Sequence, residues 1–331
     1  MHKTSFILTF TILFSFIGPI EKSILQNFGI EKCTNKIIES PNEFQMLNAE
    51  LVNIVIETFD GSGYSVVWDN NTTTTANSME EISHTYTTPY SGKIRLEGLN
   101  GMQVKKVIIG GGFAFDIQQL YGFAPRIKSL TTNSGIQCYG NIASKPTSLI
   151  YLDFQTGDFH GNFNKDRLKN VERLRVVDGN TITFNIADFD NSIKYVGVTG
   201  ENTATGLIDS LNYPLLTHFD LKGMNTVSGD LGKINTPFPA IFNIRGDNTS
   251  SAYTSGNLSF NSSPSIFIFV GAQNSLSTDE VDALLIDLDN ASTTWTAPGL
   301  LILTEAHAPP SAASATARIS LEMKGANVST N

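Results

Sequence analysis

Cysteine is nearly absent from the sequence, and charged residues are few. The 331 residues include two cysteines, Cys33 and Cys138, which lack the paired spacing of a metal site or a redox motif. We therefore expect unpaired or buried thiols instead of a disulfide framework. Charged residues make up 16% of the chain and hydrophobic residues 40%, so Ser, Thr, Asn and Gly must supply much of the polar surface. This balance is typical of β-rich, loop-rich extracellular or virion proteins.

Clusters of basic residues are also missing from the sequence. The formal net charge is −9, which leaves the chain without the positive patch that a nucleic-acid-binding protein requires. The sequence likewise has no Lys/Arg run that would favour an anionic membrane surface. We therefore predict no nucleic-acid partner.

A catalytic constellation is absent as well. The segment Ile109–Gly112 resembles an oxyanion loop, but no Gly-x-Ser-x-Gly nucleophile motif accompanies it, so a turn is predicted there. Asp287 and Asp289 lack the spacing of a calcium loop. The five histidines share no spacing that indicates a metal site: His2, His84, His160, His218 and His307. The sequence therefore predicts a non-enzymatic protein without a metal or cofactor.

An uncharged apolar run of 13 residues, Ser5–Ile17, follows Lys3 near the start of the sequence. It has the length of a signal-peptide core and is shorter than the ~20 residues of a membrane span. Small residues cannot be placed cleanly at cleavage positions near Gly18. Two interpretations stay open: a cleaved signal peptide, or a retained anchor or assembly segment. We assign this segment and a linker to residues 1–48.

Residues 49–103 have the pattern of a small antiparallel β-domain. Two apolar segments flank Asp60–Gly63 and are predicted to form a hairpin, and a further strand ends near Glu97. The region resembles a polycystic-kidney-disease-type (PKD) β-sandwich at Trp68, Asp69, His84, Tyr86, Pro89, Gly92 and Ile94. Asn70 and Asn71 replace the usual Gly-Asp-Gly turn of that family. The resemblance implies a spacer or adhesion module.

A motif of alternating apolar residues recurs through residues 104–275. Its first apolar position falls at intervals of 22, 22, 22, 23, 25 and 25 residues, at Ile127, Leu149, Val171, Ile193, Leu216, Ile241 and Ile266. A proline precedes five of these positions, and a glycine follows each copy, at Gly135, Gly157, Gly179, Gly200, Gly223, Gly246 and Gly271. Proline suits the entry to a strand, and glycine allows a turn with positive φ.

One such copy cannot bury its own apolar face, so the copies are predicted to stack as parallel rungs. The pattern resembles the leucine-rich repeat in an irregular form. In residues 276–331, Ser277 and Glu280 form a capping box before an amphipathic helix, and a strand and a second helix are predicted to follow. This unit is similar to the C-terminal caps of leucine-rich repeat proteins of bacterial surfaces and phage tails or fibres. The predicted fold class is thus mainly β with some α: a β-sandwich, a repeat solenoid and a strand-and-two-helix cap.

The strand positions between the buried ones are predicted to point outward on a single concave face. These outward positions form two rows that run across the repeats. Asn243 is expected in the row that contains His218, and Arg245 in the row that contains Asp220. Tyr and Arg are frequent anchors of binding sites. The predicted partner-binding residues are Tyr151, Asp153, Arg173, Arg175, Tyr195, His218, Asp220, Asn243 and Arg245. The alternative is a solubilising ladder in which Asp153 meets Arg175 and Asp220 meets Arg245.

Three functions are compatible with this pattern. The first is a virion structural or recognition protein, such as a phage fibre, spike or decoration, whose N-terminal segment contacts other virion proteins. The second is a secreted or cell-surface bacterial adhesin, which requires an export signal. The third is a carbohydrate-active enzyme on a solenoid, which requires clustered carboxylates or basic residues in a groove. For the first two, the expected partner is a protein or glycan on a cell surface, and a homo-oligomer is possible.

Overall fold

The computed structural model describes residues 43–68, 72–99, 104–111, 113–117, 119, 123–133, 137–144, 147–155, 157–234, 236–246, 250–256, 258–270 and 275–331. All of them fall within one structural unit, 41–331. Strands dominate and a few helices accompany them, which confirms the predicted mainly β class. The apolar segment 5–17 and Cys33 lie outside the described residues. In the described part of the chain, no helix has the length and hydropathy needed to cross a bilayer.

The first strands are antiparallel: β1 (Glu43–Thr58), β2 (Tyr64–Val67), β3 (Thr73–Ala76) and β4 (Glu81–Glu97). The predicted hairpin between the first two apolar segments is wrong, because β2 pairs with β3 and β4 instead of β1. Both edges of β1 are occupied, one by β4 and the other by the strand Val104–Gly111. β1 also begins at Glu43, so it crosses the boundary predicted at residues 48 and 49.

Two parallel ladders follow. The first ladder contains β5 (Val104–Gly111), β7 (Ser129–Thr132), β9 (Tyr151–Phe154), β11 (Arg173–Val176), β13 (Tyr195–Val198), β15 (His218–Gly223), β17 (Ile241–Gly246) and β19 (Ile266–Val270). The second contains β6 (Phe113–Asp116), β8 (Gln137–Asn141), β10 (Asp158–Phe163), β12 (Thr181–Asn185), β14 (Thr203–Leu207), β16 (Thr226–Asp230) and β18 (Ser250–Ala252). The chain alternates between the ladders, so successive copies stack in a solenoid-like arrangement.

Short helical turns follow several second-ladder strands. A four-residue helix, α1 (Lys165–Leu168), follows β10. Turns of 3₁₀ helix follow other strands, at Ile142–Ser144, Ile186–Asp188, Ile208–Ser210 and Leu231–Lys233. Asn185 and Asp230 cap two of these turns with their side-chain oxygens. The second ladder was not predicted from the sequence, because its strands contain fewer apolar residues than those of the first ladder.

The core lies between the ladders. The inward first-ladder residues form aligned apolar rows, and the rings of Phe219, Phe242 and Phe267 stack on neighbouring rungs at centroid distances of 5.8 and 5.2 Å. Ile127, Leu149, Val171, Ile193 and Leu216 precede the strands, and none is more than 4% exposed. The predicted shared interior is therefore confirmed, but the five residues lie two positions before the parallel strands instead of on them.

The predicted register is wrong for the last two copies. Ile241 pairs with His218, and Ile266 pairs with Ile241, so both isoleucines lie two positions away from the row of Leu216. Pro239 and Pro264 fill the buried position before these strands. The physical reason is that the apolar runs IFNI and IFIF continue across both faces, so alignment on the first isoleucine selects the wrong face. Asn243 consequently lies opposite Asp220, and Arg245 opposite Lys222.

The turns between the ladders combine glycine with buried asparagine. Gly179, Gly200 and Gly223 have φ angles of 84°, 80° and 106°, as predicted, whereas Gly246 does not adopt positive φ. Asn180, Asn202 and Asn225 have no exposed surface. Their side-chain oxygens accept the N–H groups of Phe159, Ile182 and Ala204 on the preceding second-ladder strands. This asparagine row links consecutive turns, and the sequence analysis missed it despite its spacing of 22 and 23 residues.

The C-terminal region contains the predicted strand and two helices. α2 (Thr278–Ala291) starts with the Ser277–Glu280 capping box, and α3 (Ala315–Met323) follows a 3₁₀ turn at Ala312–Ser314. β20 (Leu300–Leu303) pairs with β19 and so extends the first ladder. A further strand, β21 (Asn327–Thr330), pairs with β20 and was not predicted. The region therefore adds two rungs to the sheet and packs helices beside it.

Candidate binding face

The solvent side of the first ladder presents two aligned rows of polar side chains, which we call the strand face. The rows form because each pair of strands is parallel and in register, so equivalent residues stand side by side. The first row runs through Lys106, Ser129, Tyr151, Arg173, Tyr195 and His218. The second runs through Thr131, Asp153, Arg175, Gly197, Asp220 and Asn243. These rows contain eight of the nine predicted residues, whereas Arg245 aligns with Lys222.

The centre of the strand face is a three-residue stack. The guanidinium carbon of Arg173 lies 3.8 Å from the ring centroid of Tyr195. The imidazole of His218 stacks on the same ring from the next rung, with a centroid distance of 4.0 Å and an interplanar angle of 13°. Since both neighbours in the row cover the Tyr195 ring, its hydroxyl and ring edge are the parts available to a ligand.

Burial disfavours the charged form of His218. Burial lowers the pKa of His218, and although Asp220 opposes this shift, the positive charge of Arg173 adds to it. A neutral imidazole stacks on Tyr195 beside Arg173 without the repulsion that a second cation would bring. The stack therefore combines one cation with two uncharged rings.

Paired charges surround the stack. Asp153 lies 3.1 Å from Arg175 and 3.6 Å from Arg173, measured from its carboxylate oxygens to the guanidinium nitrogens. Both arginine side chains are about one-third exposed. The predicted contact between Asp153 and Arg175 is therefore confirmed, and Arg173 shares the same carboxylate.

The pairing around Asp220 differs from the prediction. Asp220 accepts a hydrogen bond from Asn243 Nδ2 at 2.8 Å and forms an ion pair with Lys222 at 3.0 Å, whereas Arg245 donates to Asn243 Oδ1 at 3.2 Å. The shifted register explains this, because it aligns Asn243 instead of Arg245 with Asp220. Asn243 is only 3% exposed, so it positions its neighbours and does not present a contact surface. Lys222 is a member of the face that the sequence analysis missed.

Tyr151 is fixed by a second charged group at the margin of the face. Glu172 Oε2 accepts hydrogen bonds from the Tyr151 hydroxyl at 2.6 Å and from Lys194 Nζ at 2.8 Å. The hydrogen bond to Glu172 raises the pKa of Tyr151, and the hydrogen bond from Lys194 lowers the pKa of Glu172. Glu172 and Lys194 were also missed, because they precede their strands and were not assigned to the outward rows.

The strand face changes character at its C-terminal end. Beyond β17, the aligned positions are Ile266, Ile268, Leu300 and Ile302, and Ile268 is 2% exposed. The polar part of the strand face therefore lies between β5 and β17. Within the described ranges, no group of three or more His, Cys, Asp or Glu side chains is placed to hold a metal ion.

Comparisons with known proteins assign no family. No protein-family model matches the sequence, and no curated protein matches it either. Among solved structures, the crystal structure of a plant ice-binding protein matches with a TM-score of 0.32 and 16% sequence identity. That match covers 54% of this chain and 58% of the other. Similarity at this level assigns neither a fold family nor a function to the chain.

Proposed function

We propose that the protein is a non-enzymatic recognition protein that binds a surface partner through its strand face. In this proposal the parallel ladders are an irregular leucine-rich repeat solenoid, and the antiparallel strands are a PKD-like β-sandwich. The observation that carries the proposal is the stack of Arg173, Tyr195 and His218 on three neighbouring rungs. Tyr and Arg are the residue types that most often dominate binding energy.

The contacts within the face support binding because they order the side chains in advance. Arg173 is held by both Asp153 and Tyr195, and Tyr151 is held by Glu172. A side chain that is already ordered loses less conformational entropy when a ligand arrives, which favours affinity. Among the described residues, the Tyr195 hydroxyl has no hydrogen-bond partner, and Arg245 is exposed, so both can engage a polar ligand.

The partner in this proposal is a protein or glycan at a cell surface. The proposed location is the surface of a virion, where the apolar segment 5–17 anchors the chain to other virion proteins. The alternative is a secreted or cell-surface adhesin, which the signal-peptide length of the same segment favours. N-terminal sequencing of the mature protein separates the two, because export predicts a start near Pro19 and a virion anchor predicts a retained segment.

A glycan array probed with labelled protein tests the recognition proposal. The triple variant Tyr151→Ala, Arg173→Ala, Tyr195→Ala removes the stack and its neighbour, and we expect its array signal to be lost. The matched control is Thr181→Ala, Thr183→Ala, which changes two exposed residues of the second ladder and should bind like wild type. Circular dichroism confirms that both variants fold. An unchanged signal in the folded triple variant would show that the strand face is not the binding site.

A further inference from the structure

A cavity of about 370 Å³ opens at the β5 end of the strand face. Three lysines from two adjacent rungs line it, Lys105, Lys106 and Lys128, and Glu57 of β1 contributes one carboxylate. The volume is in the range of small-ligand sites, ~300–1,000 Å³, and suits a single sugar ring better than a longer chain. None of these four residues was singled out by the sequence analysis.

The charges in this cavity do not balance. Glu57 pairs with Lys105 at 2.5 Å. Among the described residues, neither Lys106 nor Lys128 has a carboxylate oxygen within 4.0 Å. Elsewhere on the strand face, Arg173 and Arg175 share Asp153, Lys194 pairs with Glu172, and Lys222 pairs with Asp220. Arg245 is the exception, because it donates to the amide oxygen of Asn243. The cavity thus holds excess positive charge in a chain whose net charge is −9.

The backbone register keeps these like charges close together. The N–H of Lys128 donates to the carbonyl oxygen of Lys105 at 2.7 Å, so the two lysines stand on neighbouring rungs. Lys106 occupies the row of Glu57 and Ser129. Like charges placed side by side in a sheet are destabilising, and a bound anion offsets that repulsion. The arrangement therefore favours a ligand that carries a negative charge.

The remaining wall of the cavity is partly apolar. Tyr151 and Ile150 line it, and the hydrogen bond from Tyr151 to Glu172 fixes the position of the ring. The Ser129 hydroxyl and the Glu57 carboxylate provide polar groups for ligand hydroxyls. A ligand that fits all these surfaces has one carboxylate, several hydroxyls and an apolar ring face. Acidic monosaccharides of the uronic acid type have this combination.

We propose that this cavity binds an acidic sugar residue, with its carboxylate between Lys106 and Lys128 and its ring against Tyr151. The subsite rests on the proposed function, because that proposal places the ligand on the strand face. It adds a chemical class and a subsite that extends from Tyr151, on the rung next to Arg173, to Lys106, three rungs from Arg173.

An NMR titration of the ¹⁵N-labelled full chain with glucuronate tests this subsite, and glucose is the neutral comparison. We expect glucuronate to shift the amide resonances of Ser129 and Tyr151 and to bind about tenfold more tightly than glucose. The variant Lys106→Gln, Lys128→Gln should weaken glucuronate binding about tenfold or more, and 0.5 M NaCl should weaken it in wild type. Lys165→Gln, which removes an exposed lysine of α1, is the control and should bind like wild type.

The subsite is refuted if glucuronate causes no saturable shift, if glucose binds equally well, or if the lysine variant binds glucuronate like wild type. The double variant Arg173→Ala, Tyr195→Ala separates this result from the proposed function. We expect it to keep glucuronate binding at the cavity and to lose array binding at the stack. If glucuronate causes no chemical-shift change while array binding still requires Arg173 and Tyr195, only the sugar subsite is overturned. If the double variant gives the same array binding as wild type, the proposed function is overturned.

Discussion

The ring of Tyr195 lies over Gly197, two residues further along the same strand. A Cβ atom at position 197 would lie 2.8 Å from Cε1 of Tyr195 and 3.0 Å from its hydroxyl oxygen. Such distances are shorter than a normal carbon contact, so the absence of a side chain at Gly197 is what lets the ring lie flat between Arg173 and His218. A small residue in the second row therefore determines the geometry of the first row.

Gly197→Ala should displace the Tyr195 ring while the strand stays in place. The atoms in conflict belong to a movable side chain, so we expect a loss of about 1 kcal/mol from the weakened stack, not global unfolding. The loss in the free energy of ligand binding to the strand face should exceed the loss in the free energy of unfolding. Urea denaturation and array binding measure the two effects. Gly110→Ala is the control, because its Cβ would have ordinary contacts at 3.6 Å or more; equal effects of both variants would contradict this account.

Asn202→Ala should destabilise the fold at a turn. The variant leaves the buried N–H of Ile182 and the carbonyl of Thr199 without their partner at 3.0 and 2.7 Å. An unsatisfied buried polar group costs about 1–3 kcal/mol, so we expect a loss of about 2 kcal/mol or more in the free energy of unfolding. Chemical denaturation measures it, with the exposed residue Asn191 changed to Ala as the control. A loss as small as that of the control would mean that water replaces the amide.

His307 should make stability depend on pH. Its Nδ1 accepts the N–H of Leu276 at 3.2 Å, so Nε2 donates to the carbonyl oxygen of Phe269 at 2.6 Å, and the ring is neutral. Burial lowers the pKa of His307, although Phe269, Glu305 and Glu280 oppose the shift. Because the folded state binds this proton less readily than the unfolded state, stability is present above about pH 6.5 and falls as the pH drops below it.

Urea denaturation at pH 7.5 and 5.5 measures this dependence. In His307→Gln, the loss of stability between the two pH values should be smaller than in wild type. His160→Gln, a change at an exposed position, should keep the wild-type dependence. If His307→Gln and wild type lose the same free energy on acidification, another group is responsible.

Asp282→Asn should weaken the attachment of the second C-terminal helix. Asp282 is 6% exposed and accepts hydrogen bonds from the amide of Ser311 and from the hydroxyls of Ser311 and Ser314. An amide side chain cannot accept from all three donors, so we expect a loss of about 2 kcal/mol. Asp279→Asn, at an exposed position in the first turn of α2, should cost at most about 1 kcal/mol. Hydrogen exchange of α3 amides measures the local effect.

Periodic burial explains why much of the first ladder was predictable. The recurring positions of Ile127 to Leu216 identify the inward side, and the outward residues follow from alternation along each strand. The failures at Ile241 and Ile266 have the same origin, because consecutive apolar residues in these strands remove the contrast between the two sides. The hairpin prediction was wrong for another reason. One edge of β1 pairs with β5, which lies far along the sequence, so the local pattern around Asp60–Gly63 does not reveal this pairing.

The site was only partly predictable. Alternation along a strand assigns each side chain to the inward or outward side of the sheet, but it does not predict which side chains contact each other. The stack on Tyr195 requires the in-register placement of His218 and the open space at Gly197. Lys105 is the second residue of β5 and Lys128 precedes β7, and neither belongs to an outward row that the sequence predicts. Their proximity follows from the backbone hydrogen bond between rungs, which residue type does not reveal.

The in-register stacking also makes the length of the strand face modular. Removal of residues 173–194, a span of 22 residues, deletes one whole coil and joins Glu172 to Tyr195 in the place of Lys194. Tyr151 then stands beside Tyr195, and the surface is shorter by one rung, ~4.8 Å. Tandem gain or loss of such a unit changes the length of the strand face in steps of one rung, and the packing of the other coils is preserved.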